Sequence, residues 1–187
     1  SSNEAASMPR IGLDSDASTT ATFDGLLEDD DFDGEPRADT GDISVMLYTS
    51  GTTGNPKGVP RSHAAERAAA LAHVAQHRGS PNEVTLGTMP FYHTMGVRSL
   101  LAMQLLDGNL ICQRKFDPKE TLQMIEKEKI TSVFLVPTLF HDLLAAPAFA
   151  DFDISSATRL GFAGAPMPDG LMVKIWEMMK PDQLVNH

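Results

Sequence analysis

Cysteine is nearly absent. Cys112 is the single example in 187 residues, which excludes an intrachain disulfide framework and a zinc site built on several thiolates, and suits a reducing cytoplasm. Long apolar runs are missing too. No stretch reaches the eighteen or so residues a membrane helix needs, and the N-terminus has no basic-then-apolar leader, so a soluble, cytoplasmic protein without membrane partners is expected. A surplus of positive charge is also lacking. The net charge of −10 arises wholly in residues 1–42, which hold twelve acidic and two basic side chains, while the remainder holds thirteen of each sign. With no basic stripe on that neutral body, nucleic acid is not an expected partner.

Charge therefore divides the chain. Residues 1–41, with Glu28, Asp29, Asp30, Asp31 and Asp33 in close succession, read as an acidic, weakly ordered linker, with a dedicated interaction tail as the alternative. Residues 42–187 have the length for one hydrophobic core. In them short β-rich runs alternate with helical patterns, which predicts an α/β domain: a mostly parallel sheet flanked by helices on both faces. Strands are expected over 43–48 (a buried one), 83–89, 109–113, 132–136, 158–162 and 183–186. Helices are expected from a Ser62 cap to about 77, over 95–106, from Pro118 behind an Asp117 cap to about 128, from Thr138 to about 145, and from Asp169 to 179.

What is abundant is concentrated just after the first of these strands. Residues 48–59 read YTSGTTGNPKGV, with Thr49, Ser50, Thr52 and Thr53 as hydroxyl donors, Gly51 and Gly54 as flexible points, and Lys57 as a mobile positive charge. Glycine lets the backbone approach a ligand closely, and hydroxyls with freed N–H groups suit an anion such as phosphate. The pattern is not the nucleotide-triphosphatase P-loop. Pro56 stands where that motif needs a second glycine, and Gly58 where it needs a hydroxyl for Mg²⁺. An ordinary flexible turn rarely combines these residue types behind a strand.

The string YTSGTTGNPKGV resembles the signature loop of the acyl-adenylate-forming superfamily, which includes acyl- and aryl-CoA ligases, luciferase-like enzymes and peptide-synthetase adenylation domains. The resemblance implies that Thr49, Ser50, Gly51, Thr52, Thr53, Gly54 and Lys57 handle the β- and γ-phosphates of ATP. Two further stretches extend it. MPFYHTMGV, residues 89–97, is similar to an aromatic and histidine element beside the acid pocket, and GFAGAPMP, 161–168, to a loop lying along adenine and substrate. By that likeness Gly164, Ala165 and Pro166 contact the nucleotide, and Phe91, Tyr92, His93, Met95, Phe162 and Ala163 form the substrate pocket. His93 is the candidate at the reacting centre, expected to bind and orient the acid rather than to transfer protons. GFAGAPMPD most resembles the chlorobenzoate- and benzoate-type aryl-CoA ligases. The likeness covers about 42–187 and leaves the acidic arm outside.

Chemistry and alternatives follow from these residues. Amino-acid-activating relatives usually hold the substrate ammonium with an aspartate at the 89–97 element, as a buried cation needs a counter-charge. Phe91, Tyr92, His93, Thr94 and Met95 offer none, so an uncharged organic acid with an aromatic ring or a short apolar chain is favoured. Met95 has helix packing as its plainer explanation, and Gly164 and Pro166 an ordinary strand-to-helix turn. His73 and His77 lie four apart on a helix, a spacing that can bind metal. With no third ligand near them in sequence they read as a solvent-facing pair, and no metal site is expected. Arg61 and His63 follow the loop closely enough to approach phosphates, or are surface residues. The charges over 119–129 read as a solvated helix face, and Cys112 as inert core.

As a whole the resemblance implies an ATP-dependent acid-CoA ligase using ATP, Mg²⁺ and coenzyme A on a small-molecule carboxylic acid. It also implies that these residues are part of a large N-terminal domain. A Tyr-Gly-x-Thr-Glu element is expected directly after His187, and a ribose-binding aspartate, a hinge and a domain with a catalytic lysine further on. The remainder of its own chain is then a necessary partner, a homodimer is a candidate assembly, and the 187 residues alone are expected to be inactive. The competing readings are a non-catalytic nucleotide-binding or interaction module, and an adenylating relative that does not use coenzyme A.

Overall fold

A strand followed by a helix returns beside its neighbours in the same direction, because a crossover of a dozen or more residues must carry the chain back across the sheet. The computed structural model, which describes residues 11–12, 21–22, 37–49 and 55–187, obeys that logic in its larger part. The chain divides into two units, Ser1–Ala38 and Asp39–His187. In the first, β1 (Ile11–Gly12) pairs in parallel with β2 (Ala21–Thr22). Most of the acidic segment, and with it the expectation of a weakly ordered linker, lies outside the described residues.

The second unit begins with an antiparallel hairpin, β3 (Ile43–Thr49) and β4 (Lys57–Ser62). It continues through α1 (His63–Gln76), β5 (Val84–Gly87), α2 (Thr94–Leu106), β6 (Asn109–Cys112) and α3 (Pro118–Glu128). β7 (Ser132–Leu135), α4 (Pro137–Leu144), β8 (Arg159–Phe162), α5 (Asp169–Met179) and β9 (Gln183–Asn186) complete it. The last five strands form one sheet in the order β6-β5-β7-β8-β9, with every pair parallel.

Local chemistry sets the helix ends. The Ser62 hydroxyl accepts from the backbone N–H of Ala65 at 3.2 Å, and the Asp117 carboxylate from that of Glu120 at 2.8 Å, with Pro118 at the first helical position. α2 stops where Asp107 turns left-handed (φ 51°) and the N–H of Gly108 returns to the Met103 carbonyl. α4 starts one residue earlier than the Thr138 opening read from the sequence. Pro137 occupies its first turn behind an extended Val136, because a proline ring is preset for that position.

Strand order produces two helical layers. From β5 the chain crosses to one side to reach β6 and then back past β5 to reach β7, and equal-handed crossovers in opposite directions place their helices on opposite faces. Side chains of β7 alternate accordingly. Val133 and Leu135 enter a core with Leu122, Ile125, Phe140, Leu143 and Ile175 from α3, α4 and α5, whereas Ser132 and Phe134 face His73, His77 and Met103 of α1 and α2. At the reversal the two strands meet at Thr85 opposite Ser132, and hydroxyls supplement the ladder. Thr131 Oγ1 accepts from Val84 N at 3.1 Å and donates to Val84 O at 3.0 Å, and Thr85 Oγ1 donates to the Ser132 carbonyl.

Three expectations are corrected here. The strand over 43–48 is not buried: Ile43 is 60% and Tyr48 68% exposed, and Leu47 alone of the strand is buried, because the segment pairs only with β4 in a two-stranded ribbon. Cys112 is exposed rather than core, since β6 is the edge strand of the sheet. His73 and His77 do not face solvent. They are 4% and 2% exposed, turned inward against Phe134.

Candidate active site

In open parallel sheets, ligands collect at the carboxyl ends of strands where the strand order reverses, because the two outgoing loops diverge there and leave a crevice. That point in this protein lies between β5 and β7, and a cavity of about 310 Å³ opens beside it. Met89, His93, Thr94 and Met95 line it from the link between β5 and α2. Phe134, Leu135 and Val136 contribute from the end of β7, and Gly161, Phe162, Ala163 and Gly164 from β8 and the loop after it. No Asp, Glu, Lys or Arg is among these side chains.

The polar features of the cavity come from one turn. His93 is the residue before α2, extended at φ −113° and ψ 148°, and its side chain makes no capping hydrogen bond. Its ring is exposed, 4.6 Å from that of Tyr92. Thr94 and Met95 belong to the first turn of α2, whose backbone N–H groups and partial positive charge favour an anion such as a carboxylate. Gly96 allows this turn to sit against the preceding loop. A Cβ there would lie 2.6 Å from the Met89 carbonyl oxygen and closer still to that of Pro90. Gly164 has φ +84°, a conformation that glycine adopts without strain, so the chain can turn sharply past the cavity mouth.

Of the residues singled out in the sequence, His93, Met95, Phe162, Ala163 and Gly164 meet around this cavity. Phe91 and Tyr92 do not line it. They border, with Val45, Met46, Leu47 and Tyr48 of β3, a separate cleft of about 380 Å³ that His93 also reaches. Ala165 and Pro166 line a third, open groove of about 620 Å³ beside α4 and α5. Thr49 and Lys57 face each other across the hairpin as register partners, both exposed, with the loop between them. Ser50, Gly51, Thr52, Thr53 and Gly54 lie outside the described residues. The guanidinium of Arg61 is engaged by the buried carboxylate of Glu66.

Sequence reasoning missed Phe134, Leu135 and Val136 as cavity residues. The usable signal was position: 134–136 end a central parallel strand just before Pro137, where a ligand site is expected. It also missed His187 as the neighbour of His73 and His77. The three rings cluster with centroids 4.5 Å apart for His73–His77 and His77–His187, and the ring of Phe134, which packs against all three, also lines the cavity. Burial is the main cause that pushes His73 down to about 3 and His77 to about 4; the neighbouring imidazoles add to it, and Arg98 adds to it for His73. His187 is also lowered, by burial and then by Arg98.

A doubly wound sheet with a cavity free of lining carboxylates at its reversal point defines an α/β class whose ligand sites lie at the carboxyl ends of the strands. The chain belongs to the AMP-binding enzyme family, whose profile matches residues 2–187 and thus includes the acidic segment that the sequence motifs left outside. It is 35% identical over 154 residues to 4-chlorobenzoate–CoA ligase from Pseudomonas sp. (strain CBS-3), covering 81% of this chain and 29% of that protein. It is 32% identical over 131 residues to a feruloyl-CoA synthase of an Amycolatopsis species, covering 70% of this chain and 27% of the relative. Among solved structures, the luciferase-like enzyme of the nonluminescent mealworm Zophobas morio superposes with a TM-score of 0.81 at 26% identity, over 97% of this chain and 43% of that one. The N-terminal domain of FACL13 from Mycobacterium tuberculosis gives 0.80 at 25% identity, over 94% and 45%. The chain thus spans less than a third of the length of these two curated relatives.

Proposed function

We propose that these residues are the acid- and ATP-binding part of an AMP-forming carboxylic acid–CoA ligase that activates an apolar, aromatic acid. The observation that carries this reading is the uncharged cavity of about 310 Å³ with His93 and the first turn of α2 at its rim. Apolar walls suit a ring or short chain, and the absence of a lining Asp or Glu disfavours an amino acid, whose ammonium would be buried without a counter-charge. The relatives named for 4-chlorobenzoate and ferulate support an aromatic acid.

In this reading His93 and the N–H groups at the start of α2 hold the substrate carboxylate at the cavity mouth. Lys57 and the hydroxyl of Thr49, at the two feet of the loop, attract the ATP phosphates, and that donor set fits a triphosphate. A carboxylate oxygen attacks the α-phosphorus, the bond from that phosphorus to the bridging oxygen of pyrophosphate breaks, and an acyl-adenylate forms. The coenzyme A sulfur, as thiolate, then attacks the acyl carbonyl, and AMP leaves with the electron pair. The protein's part in the first half is positioning and charge neutralisation, since two anions must meet. Mg²⁺ carried in with ATP would supply further neutralisation of the phosphate charge. Among the described residues the one cluster of three metal-ligating groups is the histidine trio, so no carboxylate set for Mg²⁺ is assigned.

The test is acid-dependent exchange of pyrophosphate into ATP by the complete protein that carries these residues, across benzoates, cinnamates, fatty acids and amino acids. Exchange driven by aromatic acids is expected; exchange driven by amino acids alone rejects the reading. Lys57→Ala is expected to slow adenylation by about 100-fold with a smaller effect on thioester formation from supplied acyl-adenylate. Equal losses in both halves remove the phosphate role. For His93→Ala, loss of a hydrogen bond to a charged group is expected to weaken acid binding by about tenfold or more, and an unchanged acid profile returns His93 to a packing role.

A further inference from the structure

We propose that His73, His77 and His187 hold one divalent transition-metal ion, zinc above all, with water as the fourth ligand, tying α1 to the carboxyl end of β9. His73 and His77 sit one turn apart on α1, and His187 directly follows β9. The ligand nitrogen that each offers lies within 4.8 Å of the others, and Nε2 of His77 is 2.5 Å from Nε2 of His187. Zinc with bonds of about 2.0–2.1 Å in a tetrahedron sets its nitrogens about 3.3 Å apart, between those two distances, so ring rotations of about an ångström form the site.

A second observation points to a ligand at the same cluster. His73 Nδ1 and Ser132 Oγ are buried and make no hydrogen bond among the described residues, and both residues line a void of about 10 Å³, which His187 does not line, on the His73 and His77 side of the cluster. Buried polar atoms are normally satisfied, and a space of that size admits an ion or a single water but no organic substrate. Three imidazoles without a carboxylate or thiolate favour zinc, copper or nickel over magnesium or calcium.

Two charges flank the cluster. Glu83 lines the void, with its carboxylate held by the Ser80 N–H at 3.1 Å and by Arg159 at 3.8 Å, and it favours a cation. Arg98 of α2 is close enough to lower His73 and His187, its Nε is buried with no hydrogen-bond partner among the described residues, and it opposes one. Their balance tunes affinity rather than the choice of ligands.

The experiment uses the complete protein without a polyhistidine tag, stripped with chelator and titrated with Zn²⁺, and it does not depend on enzymatic activity. One zinc per chain is expected, with a rise in Tm of about 5–10 °C when free zinc stands near 100 times its Kd. Co²⁺ in its place should give the intense visible absorption of a four-coordinate, nitrogen-ligated ion. His187→Gln should abolish both the tight binding and the Tm rise, and Arg98→Gln should tighten binding about tenfold by removing a nearby like charge. Less than a tenth of a zinc per chain, no Tm response, or binding unchanged in His187→Gln overturns the proposal. If a histidine variant does not fold, the wild-type stoichiometry and cobalt spectrum decide, and an octahedral, weakly absorbing cobalt complex counts against the site.

Discussion

The two faces of β7 solve burial in different ways. Val133 and Leu135 point into a layer of aliphatic and aromatic side chains, with Leu122, Ile125, Phe140, Leu143 and Ile175 fully buried. Ser132 and Phe134 point into a layer with two buried imidazoles, a buried glutamate and two polar atoms that make no hydrogen bond among the described residues. The first face gains free energy from apolar burial with no titratable group in it, so its contribution is largely independent of pH. The second buries imidazoles whose protonation is opposed by that burial, so its contribution depends on pH, and the candidate metal site belongs to it.

Breaking the apolar face should cost most. Phe140→Ala removes a fully buried ring from α4 and should destabilise the protein by about 3–5 kcal/mol in denaturant unfolding, with little dependence on pH. A loss under about 1 kcal/mol would mean that the layer collapses around the deletion, and that the contrast between faces is overstated.

The polar face should reveal itself through acid, measured in chelator. His73 and His77 titrate near 6.5 in the unfolded chain but at about 3 and about 4 in the fold. Below pH 6.5 the unfolded state therefore binds protons that the native state excludes, and stability falls as pH drops, fully present above that value. The limiting slope is about 1.4 kcal/mol per pH unit per histidine. His73→Leu, which also removes the unpartnered Nδ1, should flatten this slope with little change in stability at pH 7. A wild-type stability that stays level from pH 7 to 4.5 would erase the distinction between the faces.

A position outside both faces calibrates the scale. Lys129 ends α3 at φ 50° and forms an exposed ion pair with Asp153 at 3.3 Å. Lys129→Gly relieves the left-handed strain and loses a screened pair, so thermal unfolding should show a net gain below about 1 kcal/mol. A loss above about 1 kcal/mol would show that surface charge matters as much here as burial.

How far the sequence reveals the molecule depends on the range of the interaction. Helix and strand positions follow from caps, breakers and periodicity, all local, as at Ser62, Asp117 with Pro118, and Asp107 with Gly108. The 89–97 and 161–168 stretches were legible because their residue types are distinctive, and they meet at one cavity. Not legible were the departure of Phe91 and Tyr92 to the β3 cleft and the arrival of Phe134, Leu135 and Val136, since both depend on how neighbouring strands splay. The misread histidine pair has the same origin: helical spacing gives the angle between His73 and His77 but not the face that the sheet covers.

By itself, then, the sequence determined the alternation that forces parallel strands, the loop chemistry between Thr49 and Lys57, and the uncharged composition of the 89–97 element. Those depend on dihedral preferences and on side-chain chemistry within a few residues. The tertiary structure alone decided that β3 leaves the main sheet for a ribbon with β4, that the cavity opens where β5 and β7 part, and that His187 meets partners more than a hundred positions earlier. Each of these rests on packing between segments remote in sequence, where the burial of one side chain is set by a neighbour that no local pattern encodes.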